Sequence, residues 1–409
     1  MTNELRYCLR MSQPLRRFSW SLSFLAFAGA CGSAPARPEP AAGAVVREPF
    51  EVDLGGWQSR AELVHPEPGG PHGNGPWPVV LLIHGNGPHD MDVTLPGPDG
   101  GTKLFATIAE VVAARGFSVV RYDKRFVKGP GRFDARFWRE QSTPVFAGDA
   151  TRVLDAATAM ARCDGSRVFL WGWSEGTAVA AAVAVERRDV RGLVLQGAVG
   201  LPWREMVRGW ILDVGLPYAQ SADGPVTAES LASALRGQGG IVAKLGASFF
   251  ADPATIYSAH PMISSLLDKD GDGRLDPDRE VRAAAEAMLD FAFGPQGNVH
   301  VYADGRTVPT VTEQAGRLTQ AVLILQGEND ASTPKAGGRA LAAALHAVGN
   351  DAELWEMPGK GHTLGPAASL VDDCGRPPDA ATFARVAGWL AEHASAAVAG
   401  QSSAVTSNR

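Results

Sequence analysis

Arg167-Val168-Phe169-Leu170-Trp171-Gly172-Trp173-Ser174-Glu175-Gly176-Thr177-Ala178-Val179-Ala180 changes character at its middle. Arg167 to Trp171 reads as a strand buried on both faces. Gly176 to Glu186 is a run of small residues that reads as a helix. A chain that passes from strand to helix through Gly172-Trp173-Ser174-Glu175-Gly176 has to turn sharply. The turn forces Ser174 into a strained backbone conformation and exposes its hydroxyl above the sheet. Gly172 and Gly176 leave room, because a side chain at either would collide with a neighbouring strand or helix. The hydroxyl then stands at a helix N-terminus, where the dipole favours negative charge. The five-residue pattern alone is common; the strand before it and the helix after it make it specific.

Outward from this turn the chain alternates. Val79-Val80-Leu81-Leu82-Ile83, Phe117 to Tyr122, Val190 to Gln196, Ala321 to Gln326 and Ala352 to Met357 read as further strands. Helical periodicity runs over Lys103 to Arg115, stopping at Gly116, and over Gly148 to Ala161; helices also follow the last two strands. Pro49 to Leu54 and Arg60 to His65 suggest an antiparallel opening hairpin, and Pro66 to Pro78 is a Pro/Gly-rich loop. The alternation implies an α/β fold, a mostly parallel central sheet with helices on both faces. It stops at Gly200 and resumes near Leu318. The stretch between is mainly helical in character and carries Trp203, Trp210, Phe249 and Phe250. It is expected to form a cap over the sheet's C-terminal edge, where ligands bind in open α/β sheets. The expected core therefore has two parts, 48–199 and 318–397, separated by a cap insertion over 200–317.

A serine hydroxyl is a poor nucleophile at neutral pH and needs a base, which in turn needs an orienting acid. Asp330 follows a strand end in Gly327-Glu328-Asn329-Asp330, and His362 follows the next in Gly359-Lys360-Gly361-His362. Both fall on the sheet edge that presents Ser174. Glu328 is the rival acid; His300, inside the insertion, and His346, inside an expected helix, are the rival bases. The strand Val79 to Ile83 runs into His84-Gly85-Asn86-Gly87, whose loop is placed to offer a backbone N–H to a developing oxyanion. Asn86 N–H and Glu175 N–H are the assigned donors; losing one such donor costs ~3–4 kcal/mol of transition-state stabilisation. His84 is read as a structural residue that holds the loop, and Asp123 with Arg125 as a structural charge pair.

His84-Gly85-Asn86-Gly87-Pro88, Arg121-Tyr122-Asp123-Lys124-Arg125, Gly172-Trp173-Ser174-Glu175-Gly176, Gly327-Glu328-Asn329-Asp330 and Gly361-His362 together resemble the α/β-hydrolases. The likeness is to bacterial esterases and the related serine aminopeptidase and dienelactone-hydrolase groups. It covers roughly 49–197 and 318–397, and not the cap. The resemblance implies Ser174, Asp330 and His362 as catalytic triad, with Asn86 and Glu175 forming the oxyanion hole. It implies hydrolysis of a small-molecule ester through an acyl-enzyme, with peptidase, aminopeptidase or thioesterase action as alternatives. Phe126-Val127-Lys128 replaces the Gly-rich turn that relatives often carry after Arg125, which bears on the pocket wall.

Within the insertion, Asp268-Lys269-Asp270-Gly271-Asp272-Gly273-Arg274-Leu275-Asp276 follows the first nine positions of an EF-hand loop. Asp268, Asp270, Asp272, Arg274 (by its carbonyl) and Asp276 are the expected Ca²⁺ ligands. The twelfth position is Arg279, so a bidentate carboxylate would have to come from Glu280 through a one-residue shift. The opposing reading is an acidic solvated loop. Oxygen-only ligands argue against zinc, and no cofactor is expected for catalysis.

Arg10, Arg16 and Arg17 precede an apolar run, Phe18 to Ala30, that ends in Ala28-Gly29-Ala30-Cys31. The run is too short to span a bilayer and resembles a bacterial lipoprotein signal over 1–31, the alternatives being an ordinary signal peptide cleaved near Cys31 or a fortuitous apolar run. Lipidation at Cys31 and a tether over 32–47 would place the protein on a membrane of the cell envelope; the tail 398–409 is expected to be disordered. A non-catalytic, calcium-stabilised envelope lipoprotein is the reading from another class. Net charge is −6 with no concentration of Lys and Arg, so nucleic acid is not an expected partner. Cys163 and Cys374 remain in the body of the chain, and their pairing is left open.

Overall fold

The computed structural model describes residues 45–96, 101–295, 297 and 299–395. The expected leader, Cys31, almost all of the tether and the tail 398–409 lie outside the described residues.

Eight strands build the main sheet: β1 (Val45–Asp53), β2 (Gln58–Pro66), β3 (Trp77–Ile83), β4 (Ser118–Tyr122), β5 (Cys163–Trp173), β6 (Val190–Gln196), β7 (Ala321–Gly327) and β8 (Glu353–Met357). Their spatial order is β1-β2-β4-β3-β5-β6-β7-β8. β1 pairs antiparallel with β2, and β2 antiparallel with β4; every pairing from β4 onward is parallel. β1 begins at Val45, so residues 45–47, the last three of the expected tether, lie in a strand.

The apolar runs are continuous because both faces are covered. Side chains alternate across a strand, so Val79, Leu81 and Ile83 enter one core while Val80 and Leu82 enter the other. Leu170, Leu193, Leu195 and Ile324 join the first; Phe169, Trp171, Val194 and Leu325 join the second. The first is closed by α2 (Thr143–Thr158), α3 (Glu175–Glu186) and α4 (Lys335–Ala347). The second is closed by α1 (Leu104–Ala113) and α5 (Ala380–Ser395). α3 is buried almost along its whole length, which its Ala- and Val-rich sequence allows. Parallel connections bring the strands' C-terminal ends to one edge, so the loops after β3, β5, β7 and β8 meet there.

Residues 197–320 contribute no strand to the main sheet among the described residues. Their helices include Trp203–Gly209, a π-helical stretch Trp210–Gly215, Ala228–Arg236, Ile241–Ser248 and Ala285–Phe293. The insertion is tied to the core: Trp210 Nε1 donates to the Ser332 carbonyl at 2.8 Å, and Gly240 N to the Val371 carbonyl at 2.7 Å. Among the described residues no helix is long and apolar enough to cross a membrane. Cys163, at the start of β5, is buried and free, so it does not pair with Cys374; burial pushes its thiol up to about 11.

Candidate active site

Ser174 lies between β5 and α3 with φ 56° and ψ −127°. That region is costly for a residue with a Cβ, by ~1–3 kcal/mol, and persists only where the surroundings over-determine it. Here Ser174 N donates to the Gln196 carbonyl at 2.9 Å. Its own carbonyl accepts from Thr177 N at 2.9 Å and Thr177 Oγ1 at 2.7 Å. The flanking glycines are required by close approach: a Cβ on Gly172 would lie 2.4 Å from the Gly176 carbonyl oxygen, and one on Gly176 2.2 Å from that of Ile83.

Asp330 and His362 come from the loops after β7 and β8 and meet at 2.9 Å, Nδ1 to Oδ2. A carboxylate only accepts, so Nδ1 carries the hydrogen and Nε2 is left as the acceptor in the neutral ring. Asp330 is 1% exposed. Its Oδ1 accepts from Ser332 N and Thr333 N, and its Oδ2 from Thr333 Oγ1. Burial draws the His362 imidazole down, but the charge and hydrogen bond of Asp330, with Asp373 adding to them, raise it above the ordinary 6.5. The Trp173 ring packs 5.1 Å from the His362 ring, and its Nε1 donates to the His362 carbonyl at 3.3 Å. The residue adjoining Ser174 thus reaches the histidine loop. The hydrogen bonds of the imidazole run to Asp330 and, at 3.4 Å, Thr333; none joins it to Ser174. Such a bond is often long in an unliganded site and tightens with substrate.

The 85–86 peptide passes directly beside the serine, since a Cβ on Gly85 would lie 2.9 Å from Ser174 Cβ. Glu175 is the first residue of α3, so its N–H has no partner within the helix. The expected oxyanion donors, Asn86 N–H and Glu175 N–H, thus belong to the residue after Gly85, which lies beside Ser174, and to the first residue of α3.

The rival residues are engaged elsewhere. Glu328 Oε2 accepts from Gly359 N at 3.0 Å, His346 Nε2 pairs with the Ala352 carbonyl at 2.8 Å, and His300 Nδ1 with that of Phe293 at 3.0 Å. His84 is buried edge-on against Tyr122 at 4.8 Å and beside Phe105; burial, then Lys124, hold its imidazole well below the ordinary range. Asp123 and Arg125 do not pair with each other. Asp123 faces Arg60 at 2.7 Å and Met91 N at 2.8 Å, whereas Arg125 faces Asp149 and the Leu54 carbonyl. Each reaches a different element, so both still anchor the segment after β4.

Of the six expected calcium ligands, Asp268, Asp270 and Glu280 bring carboxylate oxygens within 4.8 Å of one another. The other three also make bonds within the loop or beside it. Asp272 Oδ1 accepts from Arg274 N, and the Arg274 guanidinium pairs with Asp223. Asp276 caps the following helical turn through Asp278 N and Arg279 N.

The family model for serine aminopeptidase, S33, matches residues 92–222, and that for TAP-like protein matches 300–374. The chain has the α/β-hydrolase fold, a mostly parallel sheet with helices on both faces. The esterase EstD of Thermotoga maritima is 34% identical over 153 residues, which are 37% of this chain and 33% of the esterase. The match thus spans a third of that relative's length. Among solved structures, the proline iminopeptidase of Mycobacterium smegmatis is 18% identical with a TM-score of 0.48, covering 85% of this chain and 99% of its own. A dienelactone hydrolase-like promiscuous phosphotriesterase, P91, is 15% identical with a TM-score of 0.45, covering 86% and 99%.

Three residues of this site, Asp373, Tyr302 and Gly197, carry no signal that sequence reasoning used, and Lys124 stands in the Arg121 to Arg125 motif without a role of its own there. Asp373 accepts from His362 N at 3.1 Å and from Ala331 N at 3.0 Å; burial and then Asp330 push its carboxyl up to about 6. Gly361 admits it, because a Cβ there would lie 2.1 Å from Asp373 Oδ1. Lys124 and Tyr302 both face the Glu175 carboxylate. Gly197 has φ +61°, and a Cβ on it would sit 2.8 Å from His362 Cε1 and 2.9 Å from Thr333 Oγ1. Gly197→Ala is therefore expected to displace the imidazole and lower kcat roughly 10²-fold, since misplacement by about 1 Å can cost that much. A kcat within threefold of wild type would show that the ring tolerates the methyl group.

Proposed function

We propose that the chain is a serine hydrolase working through an acyl-enzyme, and specifically a carboxylesterase on small or medium esters. The observation that carries this is Ser174 held at positive φ beside a buried, hydrogen-bonded His362–Asp330 pair. Ser174 Oγ attacks the ester carbonyl and passes its proton to His362 Nε2, while Nδ1–H stays on Asp330. Asn86 N–H and Glu175 N–H take the developing oxyanion. His362 then returns the proton to the leaving alkoxide. Water repeats the sequence on the acyl-enzyme. Similarity to EstD favours an ester substrate. Similarity to the serine aminopeptidase model is the ground for amide hydrolysis as a second reading.

A fluorophosphonate probe tests the chemistry: it should label the folded protein, and Ser174→Ala should abolish labelling. A folded wild type that resists the probe would favour the non-catalytic lipoprotein instead. A panel of esters graded in acyl length, run beside aminoacyl amides, separates the two hydrolytic readings; amide turnover exceeding ester turnover would reverse our choice.

We also propose a bound Ca²⁺ in the insertion and a lipid anchor at Cys31. Support for calcium is the convergence of Asp268, Asp270 and Glu280, hard oxygen donors of the kind Ca²⁺ takes. A ligand at a hundred times its Kd stabilises by about 2.7 kcal/mol, so Ca²⁺ should raise Tm by roughly 5 °C. The rise should disappear with EGTA or in Asp268→Asn/Glu280→Gln; equal Tm with Ca²⁺ and EGTA would leave the loop as a solvated turn. The anchor rests on the sequence around Cys31, and a fatty-acyl mass on the N-terminal peptide that begins there tests it.

A further inference from the structure

Lys124 is a buried cation that the steps above do not use. Its side chain is 3% exposed and its ammonium lies over the Phe146 ring, 4.0 Å from the centroid. Burial lowers it, opposed by the Glu175 carboxylate. The ammonium donates to the Gly85 carbonyl at 2.7 Å and to Glu175 Oε1 at 3.3 Å. Neither acceptor is incidental to the site. The Gly85 carbonyl and the Asn86 N–H belong to one peptide unit, and Glu175 carries the other N–H beside Ser174.

In a trans peptide the C=O and N–H point in opposite directions. The 85–86 unit is trans, the cis bond among the described residues being Gly75–Pro76. A cation bound at the Gly85 oxygen therefore fixes the peptide plane and directs the Asn86 N–H away from Lys124. It also draws electron density toward that oxygen, which strengthens the N–H as a donor. The rest of the loop is held to the same residue: Lys124 N donates to the His89 carbonyl at 3.1 Å, and the His89 ring reaches back to the Asn86 carbonyl. We propose that Lys124 is a positioning residue for the oxyanion site, setting the direction and strength of the Asn86 N–H and tying that peptide to Glu175. This rests on the serine-hydrolase reading. The competing role is structural, with Lys124 doing no more than neutralising the buried Glu175.

Lys124→Met and Lys124→Met/Glu175→Gln separate the two roles. Removing a whole oxyanion donor costs ~10²–10³-fold in kcat; a donor misdirected but still present should cost less, roughly 10–100-fold. Both variants should show that loss with KM within about twofold of wild type. Affinity for a trifluoromethyl ketone, whose serine adduct places an oxyanion between the two N–H groups, should weaken by the same factor. Lys124→Met strands a buried carboxylate, so where it fails to fold the charge-free double variant carries the test. A double variant with wild-type kcat and ketone affinity overturns the proposal and leaves Lys124 as a counter-ion. An active wild type beside an unimpaired double variant sinks this inference alone; a wild type inert toward esters and amides sinks the hydrolase reading and this inference with it.

Discussion

Ser174→Ala is expected to lower kcat on a carboxylester by roughly 10⁵- to 10⁶-fold, the scale seen when one member of a triad is removed. The substitution deletes the oxygen that forms the acyl-enzyme and leaves the oxyanion donors and the pocket in place, so KM should change little. Some acceleration over water should persist for the same reason. Folding should not suffer: the positive φ of residue 174 is enforced by Gln196, Thr177 and the flanking glycines, none of which contacts the hydroxyl through the bonds described. The decisive measurement is burst and steady-state hydrolysis of a chromogenic ester by wild type and variant of equal Tm. A variant retaining more than a tenth of wild-type turnover would move the nucleophile to another residue.

Asp330→Asn should cost roughly 10⁴-fold in kcat while leaving the protein folded. Asp330 Oδ1 accepts two backbone N–H groups, from Ser332 and Thr333. An asparagine keeps its carbonyl oxygen there, and so turns its NH₂ toward His362 Nδ1. The imidazole then holds its hydrogen on Nε2 and faces Ser174 with a donor where an acceptor is needed. The pH profile moves as well. The base acts only when neutral, and in the native protein Asp330 outweighs burial and holds His362 above 6.5. Wild-type kcat/KM should therefore fall as pH drops through a value above 6.5. In the variant burial remains while the principal raising charge is gone, so the acid limb should shift to lower pH beneath a much reduced plateau. An unmoved limb, or a loss under tenfold, would give the orienting role to a different carboxylate.

Much of this was legible in the chain because it is encoded locally. The strands β3 to β7 show as apolar runs, since burial on both faces removes any polar phase. The elbow shows because a turn with two backbone close approaches admits only glycine at positions 172 and 176. Asp330 and His362 show because each follows a strand end in a Gly-containing loop, on the edge that presents Ser174. Boundaries were less legible: β5 starts at Cys163 rather than Arg167, and α2 at Thr143 rather than Gly148, because pairing with β3 and packing on the sheet extend them.

Sequence by itself determined the layered α/β architecture and singled out Ser174, His362 and Asp330 as candidates and 200–317 as an insertion, because each rests on periodicity, glycine chemistry or order along the chain. Tertiary structure alone decided that Lys124 sits beneath the Asn86 peptide, that Asp373 holds the histidine backbone, that Gly197 makes room for the imidazole, and that Asp123 and Arg125 part company. These depend on which distant segments come within a few ångströms once the sheet twists and its edge loops converge, and no local pattern in the chain records those distances.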